Sequence, residues 1–294
     1  MRVFVTGASG YIASAVVPEL IQAGHEVVGL ARSDASAATV KAMGAEVHSG
    51  DLNDPAGLRE AAADADAVIH LAFDHATMIA GNFASAVATD VAVVEALGDA
   101  LAGTGKTLIG VGMTRTGDAK RDAAIESSPR SAVTRAIARF TERDVRTIFV
   151  AVPSVTHSSR DRYGFIPMLI KIARDTGVSG YVGDGTNRWP AGHVLDIGRL
   201  YRLALDKAPA GVQLYGAAED GIAVRQIAET IGRHLNIPAV SIPPAQAADH
   251  FKTFPFITLD ITMPNAETRQ LLGWEPVHPG LIADLEQGHY FATE

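Results

Sequence analysis

Short runs of apolar and β-branched residues alternate with longer amphipathic stretches through the first half of the chain. The short runs are nearly continuous in their hydrophobicity, which is typical of strands covered on both faces of a sheet. Strands that alternate with helices predict βαβ units and a parallel sheet with right-handed crossovers. The predicted strands are Arg2–Thr6, Glu26–Ala31, Glu46–His48, Ala67–Leu71, Thr107–Val111 and Arg146–Ala151, and the predicted helices are Tyr11–Ala23, Ala35–Met43, Pro55–Ala63, Phe83–Ala102 and Ser131–Thr141.

The alternation weakens after Pro153, where polar and glycine-rich segments separate the periodic ones. The later predicted elements are the loop Ser154–Arg162, the helix Phe165–Arg174, the glycine-rich segment Gly177–Asn187, the helix Ile197–Asp206, the strand Val212–Tyr215, the helix Arg225–His234 and a final helix from Leu281. We therefore predict an α/β fold, with a doubly wound parallel sheet at 1–155 to which 190–216 returns. A smaller interleaved C-terminal lobe is predicted at 156–189 and 217–294.

The first strand runs directly into the string TGASGYIA, which opens a helix. Gly7 permits a tight turn, Gly10 lets a ligand approach bare backbone, and the small Ala13 allows the helix to pack close to the strand. The N-terminus of that helix offers free N–H groups and a partial positive charge to phosphates. Strand, glycine turn and helix together predict a Rossmann-type dinucleotide site. The predicted contacts here are Gly7, Ser9, Gly10, Tyr11 and Ile12.

The end of the second predicted strand indicates which dinucleotide is bound. Sites for NAD usually carry an acid there for the ribose hydroxyls, whereas this chain reads Gly-Leu-Ala-Arg-Ser, ending in Arg32 and Ser33. These two residues suit a 2′-phosphate, although Asp34 lies close by, so we predict NADP (as NADPH) rather than NAD. Asp51 and Leu52 follow the third strand and are predicted to contact the adenine. Leu71, Ala72 and Phe73 end the fourth strand, where open α/β sheets place ligands.

Composition narrows the class of protein. The formal charge of −8 argues against nucleic acid or an anionic membrane as the main partner. The chain has no cysteine, which excludes disulfides and thiolate catalysis and fits a cytoplasmic protein. Its ten histidines form no recognisable metal-binding motif, and no apolar run approaches the roughly 20 residues that span a bilayer. We expect a small-molecule substrate, no metal, no nucleic acid and no membrane.

Five segments together resemble the extended short-chain dehydrogenases/reductases, the NAD(P)-dependent epimerase/dehydratase-like family. They are TGASGYIA, GDL after the third strand, VIHLA in the fourth, RWPAGHVLDIGRL beyond the middle, and LLGWEP near the end. The resemblance implies a Rossmann domain, a small C-terminal substrate-binding lobe and hydride transfer to or from a nicotinamide. It also implies that Pro153, Ser154 and Val155 fix the carboxamide of the nicotinamide, and it favours a homodimer.

The chain departs from this family at its proton-transfer residues. The family uses Tyr-x-x-x-Lys on the helix after the fifth strand, assisted by Ser or Thr, but none of the six tyrosines here is followed four residues later by lysine. Gly112 stands at the assisting position. Ser131 and Arg135 keep the four-residue spacing, but a guanidinium stays protonated and cannot relay a proton. The candidate donors are His75, Thr114, His157, Asp161 and Tyr163, of which a histidine suits acid catalysis near neutrality best.

These features predict an NADP-dependent reductase with a non-standard proton donor, acting on a carbonyl, an imine or an activated alkene. A mostly apolar substrate is suggested by aromatic and apolar residues of the later chain, which would equally serve as core; they are Phe165, Met168, Trp189, Phe251, Phe254 and Phe256. The alternative is a non-catalytic NADP(H)-binding redox sensor or partner-binding protein. A sugar-nucleotide epimerase is a third hypothesis, which the missing tyrosine disfavours.

Overall fold

A computed structural model describes residues 1–112, 119–252 and 254–292. The strands are β1 (Arg2–Thr6), β2 (Glu26–Ala31), β3 (Glu46–Ser49), β4 (Ala67–His70), β5 (Thr107–Val111), β6 (Arg146–Ala151), β7 (Val155–His157), β8 (Ser179–Val182), β9 (Arg188–His193), β10 (Val212–Tyr215), β11 (Glu219–Ala223) and β12 (Ala239–Ile242). The helices are α1 (Ala13–Gln22), α2 (Asp34–Ala42), α3 (Pro55–Ala63), α4 (His75–Ile79), α5 (Phe83–Leu101), α6 (Ala119–Ser127), α7 (Ser131–Arg139), α8 (Phe165–Thr176), α9 (Val194–Lys207), α10 (Val224–Leu235), α11 (Ala247–Phe251), α12 (Ala266–Leu272) and α13 (Leu281–Glu286).

The first of two compact units comprises Met1–Ala151, Ile197–Tyr215 and Ala266–Trp274. Its seven strands form one parallel sheet in the order β10-β6-β5-β4-β1-β2-β3. The predicted Rossmann-type α/β fold is therefore confirmed. The chain moves outward from β1 in one direction through β2 and β3, and in the other through β4, β5 and β6. This change of direction creates a crevice at the carboxyl ends of β1 and β4, which is where such sheets bind ligands.

The sheet of this unit is covered by apolar helices. Val3 and Val5 of β1 are fully buried, as a strand between two helical layers requires. Helix α5 buries one long face, which packs against α3 and α7. Local caps fix where the helices begin: the Asp54 carboxylate accepts a hydrogen bond from the Gly57 N–H at 3.1 Å, and Pro55 takes the first helical position of α3. The helix positions thus follow from both the apolar pattern and the caps.

The second unit comprises Val152–Asp196, Gly216–Asn265 and Glu275–Glu294. It contains a three-stranded sheet in the order β11-β9-β7 and a parallel pair, β12 and β8. Helices α8, α10 and α13 enclose a core in which Trp189 and Phe254 are almost completely buried. The Trp189 indole N–H donates a hydrogen bond to the Leu259 carbonyl at 3.0 Å, so its polar edge is satisfied inside the core.

The units differ from the predicted domain boundaries at 152–155, 190–196, 216 and 266–274. Residues 152–155 and 190–196 belong to the second unit, because β7 and β9 pair with each other there. Residues 266–274 belong to the first unit, where the Tyr215 N–H donates to the Thr268 hydroxyl at 2.8 Å and Lys207 Nζ donates to the Leu272 carbonyl at 3.2 Å. Within the described part of the chain, no helix combines the length and the apolar character that crossing a bilayer requires.

Candidate functional site

The glycine turn after β1 packs directly on the backbone that follows β4. Gly7 has φ +67°, and a Cβ at this position would lie 2.7 Å from the Ala72 nitrogen. The Gly10 N–H donates a hydrogen bond to the Gly7 carbonyl at 2.9 Å, which closes the turn. Any side chain at Gly7 would therefore push the two strand ends apart. The sequence predicted this requirement for glycine, and the structure supplies its cause.

Helix α1 begins beneath this turn with its first N–H groups uncapped by a side chain. Its N-cap is Ile12, its first turn contains no acidic residue, and Ser9 and Gly10 in the turn above are exposed. Ten residues of helix direct their peptide dipoles toward this end. A small exposed backbone surface and the positive dipole end of a helix without a side-chain cap fit the diphosphate of a dinucleotide.

The ends of β2 and β3 carry the residues predicted to contact the adenosine half. Arg32 is exposed, and Ser33 caps α2 by accepting a hydrogen bond from the Ser36 N–H at 3.3 Å. Asp51 accepts two hydrogen bonds from Asn53 on its Oδ1 atom, at 2.8 and 2.7 Å. Leu52 packs against the core of the first unit. Ser33 and Asp51 thus already have local structural roles, and Arg32 is the residue of this group that remains free to reach a phosphate.

Phe73, just after the end of β4, contacts two aromatic rings and an arginine. Its ring meets the His75 ring edge-on at 5.1 Å and the Phe83 ring at 6.4 Å. The Arg130 guanidinium lies over the same ring, 4.0 Å from its centroid. Just before it, the Leu71 N–H donates to the Thr6 carbonyl at 3.2 Å, and Ala72 faces Gly7. The three predicted residues 71–73 therefore lie with the glycine turn at one edge of the sheet.

A chain of buried polar groups lies behind this edge, and the sequence analysis did not identify it. The Thr6 hydroxyl lies 2.6 Å from His70 Nδ1, and His70 Nε2 lies 2.7 Å from an oxygen of Asp90. Thr6, His70 and Asp90 are each at most 4% exposed. Arg130 Nη2 lies 3.8 Å from the other Asp90 oxygen. The signal in the sequence was Asp90 itself, an acid within the apolar segment Val87–Val94 of α5.

The position where the family carries its assisting Ser or Thr has no room for a side chain. A Cβ at Gly112 would lie 2.6 Å from Gln213 Nε2 and 2.9 Å from the Phe149 Cβ. On α7, Ser131 donates a hydrogen bond to the Glu126 carbonyl at 2.9 Å and accepts one from Arg135 at 2.6 Å. Both Ser131 and Gly112 therefore serve local packing and hydrogen bonding.

The described candidate donors His75, His157 and Tyr163 have very different surroundings. His75 is exposed at the start of α4, beside Phe73, with its Nδ1 atom 3.2 Å from the Phe73 carbonyl. Thr114 lies outside the described residues. Tyr163 is 93% exposed, whereas His157 is completely buried. Among the described residues of the first unit, His75 is thus the candidate proton donor that lies at the predicted ligand-binding edge.

In the second unit, His157 belongs to a buried cluster of histidines and acids. Its Nδ1 atom lies 2.8 Å from an oxygen of Asp284, and its Nε2 atom is buried with no hydrogen-bond partner among the described residues. The His193 ring meets the His157 ring edge-on at 5.4 Å and stacks on the His278 ring at 4.6 Å. His278 in turn pairs with Asp196 at 3.0 Å. The described residues hold no group of three such side chains arranged for a metal ion.

Burial perturbs two titratable groups in this part of the chain. It lowers the pKa of His193 to about 4, and the neighbouring His157 and His278 act in the same direction. The Leu195 N–H donates to His193 Nδ1 at 3.3 Å, which further suits the neutral ring. Burial also raises the pKa of Asp161, only partly offset by the Gly164 N–H that donates to it at 2.8 Å.

The remaining predicted residues of the second unit are mostly buried or partly buried. Pro153 and Val155 are buried, and the Ser154 hydroxyl is buried without a hydrogen-bond partner among the described residues. The apolar residues predicted as a substrate wall divide into core and surface. Trp189, Phe251 and Phe254 are core, Phe165 and Met168 are partly buried, and Phe256 is 45% exposed and stacked on Phe165 at 5.8 Å.

Residues 3–122 match the model of the NAD dependent epimerase/dehydratase family. The chain is 38% identical over 299 residues to an uncharacterised protein of Schizosaccharomyces pombe, which covers 99% of this chain and 100% of that protein. It is also 38% identical over 299 residues to an uncharacterised protein of Saccharomyces cerevisiae. That match covers 98% of this chain and 99% of that protein. Among solved structures, UDP-glucuronic acid 4-epimerase from Bacillus cereus, in complex with UDP-glucuronic acid and NAD, superposes with a TM-score of 0.74 at 16% identity, covering 99% of this chain and 98% of that chain.

The depressed pKa of His193 predicts that the free energy of unfolding falls as the pH is lowered from about 6.5 to about 4. In this window the unfolded chain binds a proton that the folded chain rejects, so this one group contributes a slope of up to roughly 1.4 kcal/mol per pH unit. Urea unfolding of His193→Gln between pH 4.5 and 7 should show a shallower slope, and the exposed His75→Gln should match the wild type. Equal slopes for His193→Gln and wild type would rule this cause out.

Proposed function

Because this chain belongs to the NAD-dependent epimerase/dehydratase family of extended short-chain dehydrogenases/reductases, we propose that it is an NADP-dependent reductase of a mostly apolar small molecule. The group reduced is a carbonyl, an imine or an activated alkene. The observation that carries the proposal is the turn at Gly7, which meets the Ala72 backbone with no space for a side chain above an uncapped helix. This arrangement suits an extended diphosphate.

The chain's own residues divide the work of holding the cofactor. The turn at Gly7 and Gly10 and the start of α1 receive the diphosphate, Arg32 receives the 2′-phosphate, and Asp51 with Leu52 flanks the adenine. When bound, the reduced cofactor supplies a hydride. Residues 71–73 line the edge beside the turn, and Pro153, Ser154 and Val155 are proposed to fix the carboxamide. The absence of an acid at the end of β2 supports NADP over NAD.

The proton donor is proposed to be non-standard. Gly112 leaves no room for an assisting hydroxyl, and α7 offers Ser131 and Arg135 in place of Tyr-x-x-x-Lys. Among the candidates His75, Thr114, His157 and Tyr163, we favour His75, because its exposed imidazole lies at the ligand-binding edge of the sheet.

The same departures support a second candidate function, a non-catalytic protein that binds NADP(H) and reports redox state. Such a protein keeps the glycine turn and Arg32 but has no need of a proton donor. The two functions share their cofactor site and differ only in whether the cofactor is consumed.

Consumption of NADPH separates these functions. We expect the protein to oxidise NADPH in the presence of at least one compound from a panel of aliphatic and aryl ketones, cyclic imines and enones, followed by absorbance and fluorescence. His75→Gln should lower turnover at least ten-fold without changing NADPH affinity. Tight NADPH binding with no turnover of any compound would instead favour the sensor.

Gly7→Ala should weaken NADPH binding at least ten-fold, because its methyl group would lie 2.7 Å from the Ala72 nitrogen and distort the diphosphate cradle. Gly24→Ala is the matched control, since Gly24 has a similar φ of +86° but nothing within 4 Å of the added carbon. Both variants bear the same backbone strain, and only the first disturbs the turn. Isothermal calorimetry with NADPH checks this, and equal affinities for the two variants would contradict the assigned cradle.

Arg32→Ala should lower NADPH affinity by about ten- to a hundred-fold while leaving NADH affinity unchanged, because a charge-assisted contact to the 2′-phosphate is lost. Arg59→Ala, another exposed arginine of the first unit, serves as the control for net charge. Fluorescence titration with both reduced cofactors measures the selectivity. An unchanged ratio of the two affinities in Arg32→Ala would remove the basis for NADP preference.

A further inference from the structure

Asp90 is a buried carboxylate that needs a compensating positive charge. Its side chain is 3% exposed, and one of its oxygens lies 2.7 Å from His70 Nε2. His70 Nδ1 lies 2.6 Å from the Thr6 hydroxyl, and that hydroxyl oxygen accepts the Ala72 N–H at 3.4 Å. These contacts are all satisfied by a neutral His70 that donates from Nε2 to Asp90 and accepts from Thr6 at Nδ1. The negative charge on Asp90 is then left to Arg130.

Arg130 is held in place by this carboxylate and by an aromatic ring. Its Nη2 atom lies 3.8 Å from Asp90 Oδ2, and its guanidinium lies 4.0 Å from the centroid of the Phe73 ring. Among the described residues it has no hydrogen-bond partner, although a guanidinium has five N–H donors. Burial lowers the pKa of Arg130, which Asp90 opposes, and the group remains a cation.

The Arg130 side chain keeps 25% of its surface exposed, so some of its N–H donors remain accessible to a ligand. A cation that stacks on a ring and pairs with a buried acid has a fixed orientation at little entropic cost. Fixed, partly desolvated donors of this kind bind an anionic oxygen more strongly than a mobile surface arginine does.

The order of the strands shows which half of the ligand this cation faces. Arg32 and Asp51, the proposed adenosine contacts, follow β2 and β3 on one side of β1. Phe73 follows β4 on the other side of β1, and Arg130 directly precedes α7, which packs on β5 and β6. A dinucleotide whose diphosphate lies at the β1 turn therefore directs its nicotinamide half toward β4 and Arg130.

We propose that Arg130, held over the Phe73 ring by Asp90, binds the substrate oxygen that becomes negatively charged during reduction. This inference rests on the proposed function and narrows it to substrates that carry such an oxygen, namely ketones, aldehydes and conjugated enones. Arg130 takes over the stabilising part of the missing tyrosine's role, but not the donation of a proton.

The chemistry balances without an additional reactant. Hydride adds to the carbonyl carbon, and the electron pair of the C=O π bond moves to the oxygen, which becomes an alkoxide paired with Arg130. For an enone, hydride adds to the β-carbon and the charge reaches the same oxygen as an enolate. His75 or water supplies the proton that completes the alcohol or the saturated ketone. An imine that is protonated before reduction becomes a neutral amine and does not need Arg130.

Binding of acetate, a small oxygen anion, tests this role independently of turnover. We would titrate acetate into the protein saturated with NADP⁺ and follow saturation-transfer NMR. Arg130→Met keeps the stem over Phe73 but removes the charge, and should weaken acetate binding roughly ten-fold or more. The acetate affinity of Arg130→Lys should lie between those of the wild type and Arg130→Met. Arg139→Met is the matched control, because Arg139 lies at the end of the same helix in an exposed pair with Glu95.

Two further measurements separate the substrate oxygen from a phosphate of the cofactor as the bound anion. If the substrate oxygen is the ligand, Arg130→Met binds NADPH within two-fold of wild type, and acetate still binds the wild-type complex with NADP⁺. If NADP⁺ displaces acetate and Arg130→Met loses NADPH affinity ten-fold, Arg130 binds the cofactor and the proposal is overturned. Equal acetate affinity in wild type and Arg130→Met also overturns it.

Turnover then tests the substrate class. Arg130→Met should lower the rate of ketone and enone reduction about 100-fold and leave imine reduction unchanged. Equal losses for all three classes would contradict a role at oxygen. If Arg130→Met does not fold, the double variant Asp90→Asn/Arg130→Met also removes the negative charge that the single variant leaves unpaired. The same results are expected for the double variant. If no compound is reduced, the proposed function fails, but acetate binding still decides whether Arg130 is an anion site.

Discussion

The contact between the Gly7 turn and the backbone of Ala72 is the constraint on which the rest of the site depends. With 2.7 Å from a Cβ at Gly7 to the Ala72 nitrogen, the ends of β1 and β4 approach as closely as bare backbone allows. This approach places the start of α1, the ring of Phe73 and the buried His70 at one edge of the sheet. Widening it by one methyl group would move all of these groups together, because they are attached to the same two strands.

The sequence predicted the parallel sheet well, because its strands are buried on both faces and therefore read as continuous apolar runs. The bounds of β1, β2, β5, β6 and β10 agree with the prediction. In the second unit the strands were missed. Strand β9 contains Pro190 and Gly192, and β8 contains Gly180, so the sequences of these segments resemble those of loops. Their pairing partners lie far along the chain, and only the tertiary structure stabilises them as strands.

Like the fold, the site was predicted from the sequence only where its signal is local. The glycine turn has a local signature, and a strand before it and a helix after it were enough to find it. The chain from Thr6 through His70 and Asp90 to Arg130 has no such signature, because its members lie on β1, β4, α5 and the start of α7. The histidine cluster of the second unit is equally non-local, joining His157 to Asp284 across 127 positions. The sequence pointed to single members of these networks, Asp90 within an apolar segment and His157 as a candidate donor, but not to their partners.

Both networks exist because buried charges must be compensated within the fold. In the second unit Asp284 pairs with the buried His157, and in the first unit Asp90 lies 2.7 Å from His70 and 3.8 Å from the quarter-exposed Arg130. The network around Asp90 ends in a cation with accessible donors. This cation is the group that we propose as the binding site of the substrate oxygen.

Amide hydrogen exchange with and without NADPH tests the central claim, that the first glycine turn cradles a dinucleotide, most directly. We predict slower exchange on addition of NADPH at residues 7–13 and 71–73. Unchanged exchange at residues 7–13 under saturating NADPH or NADH would contradict it.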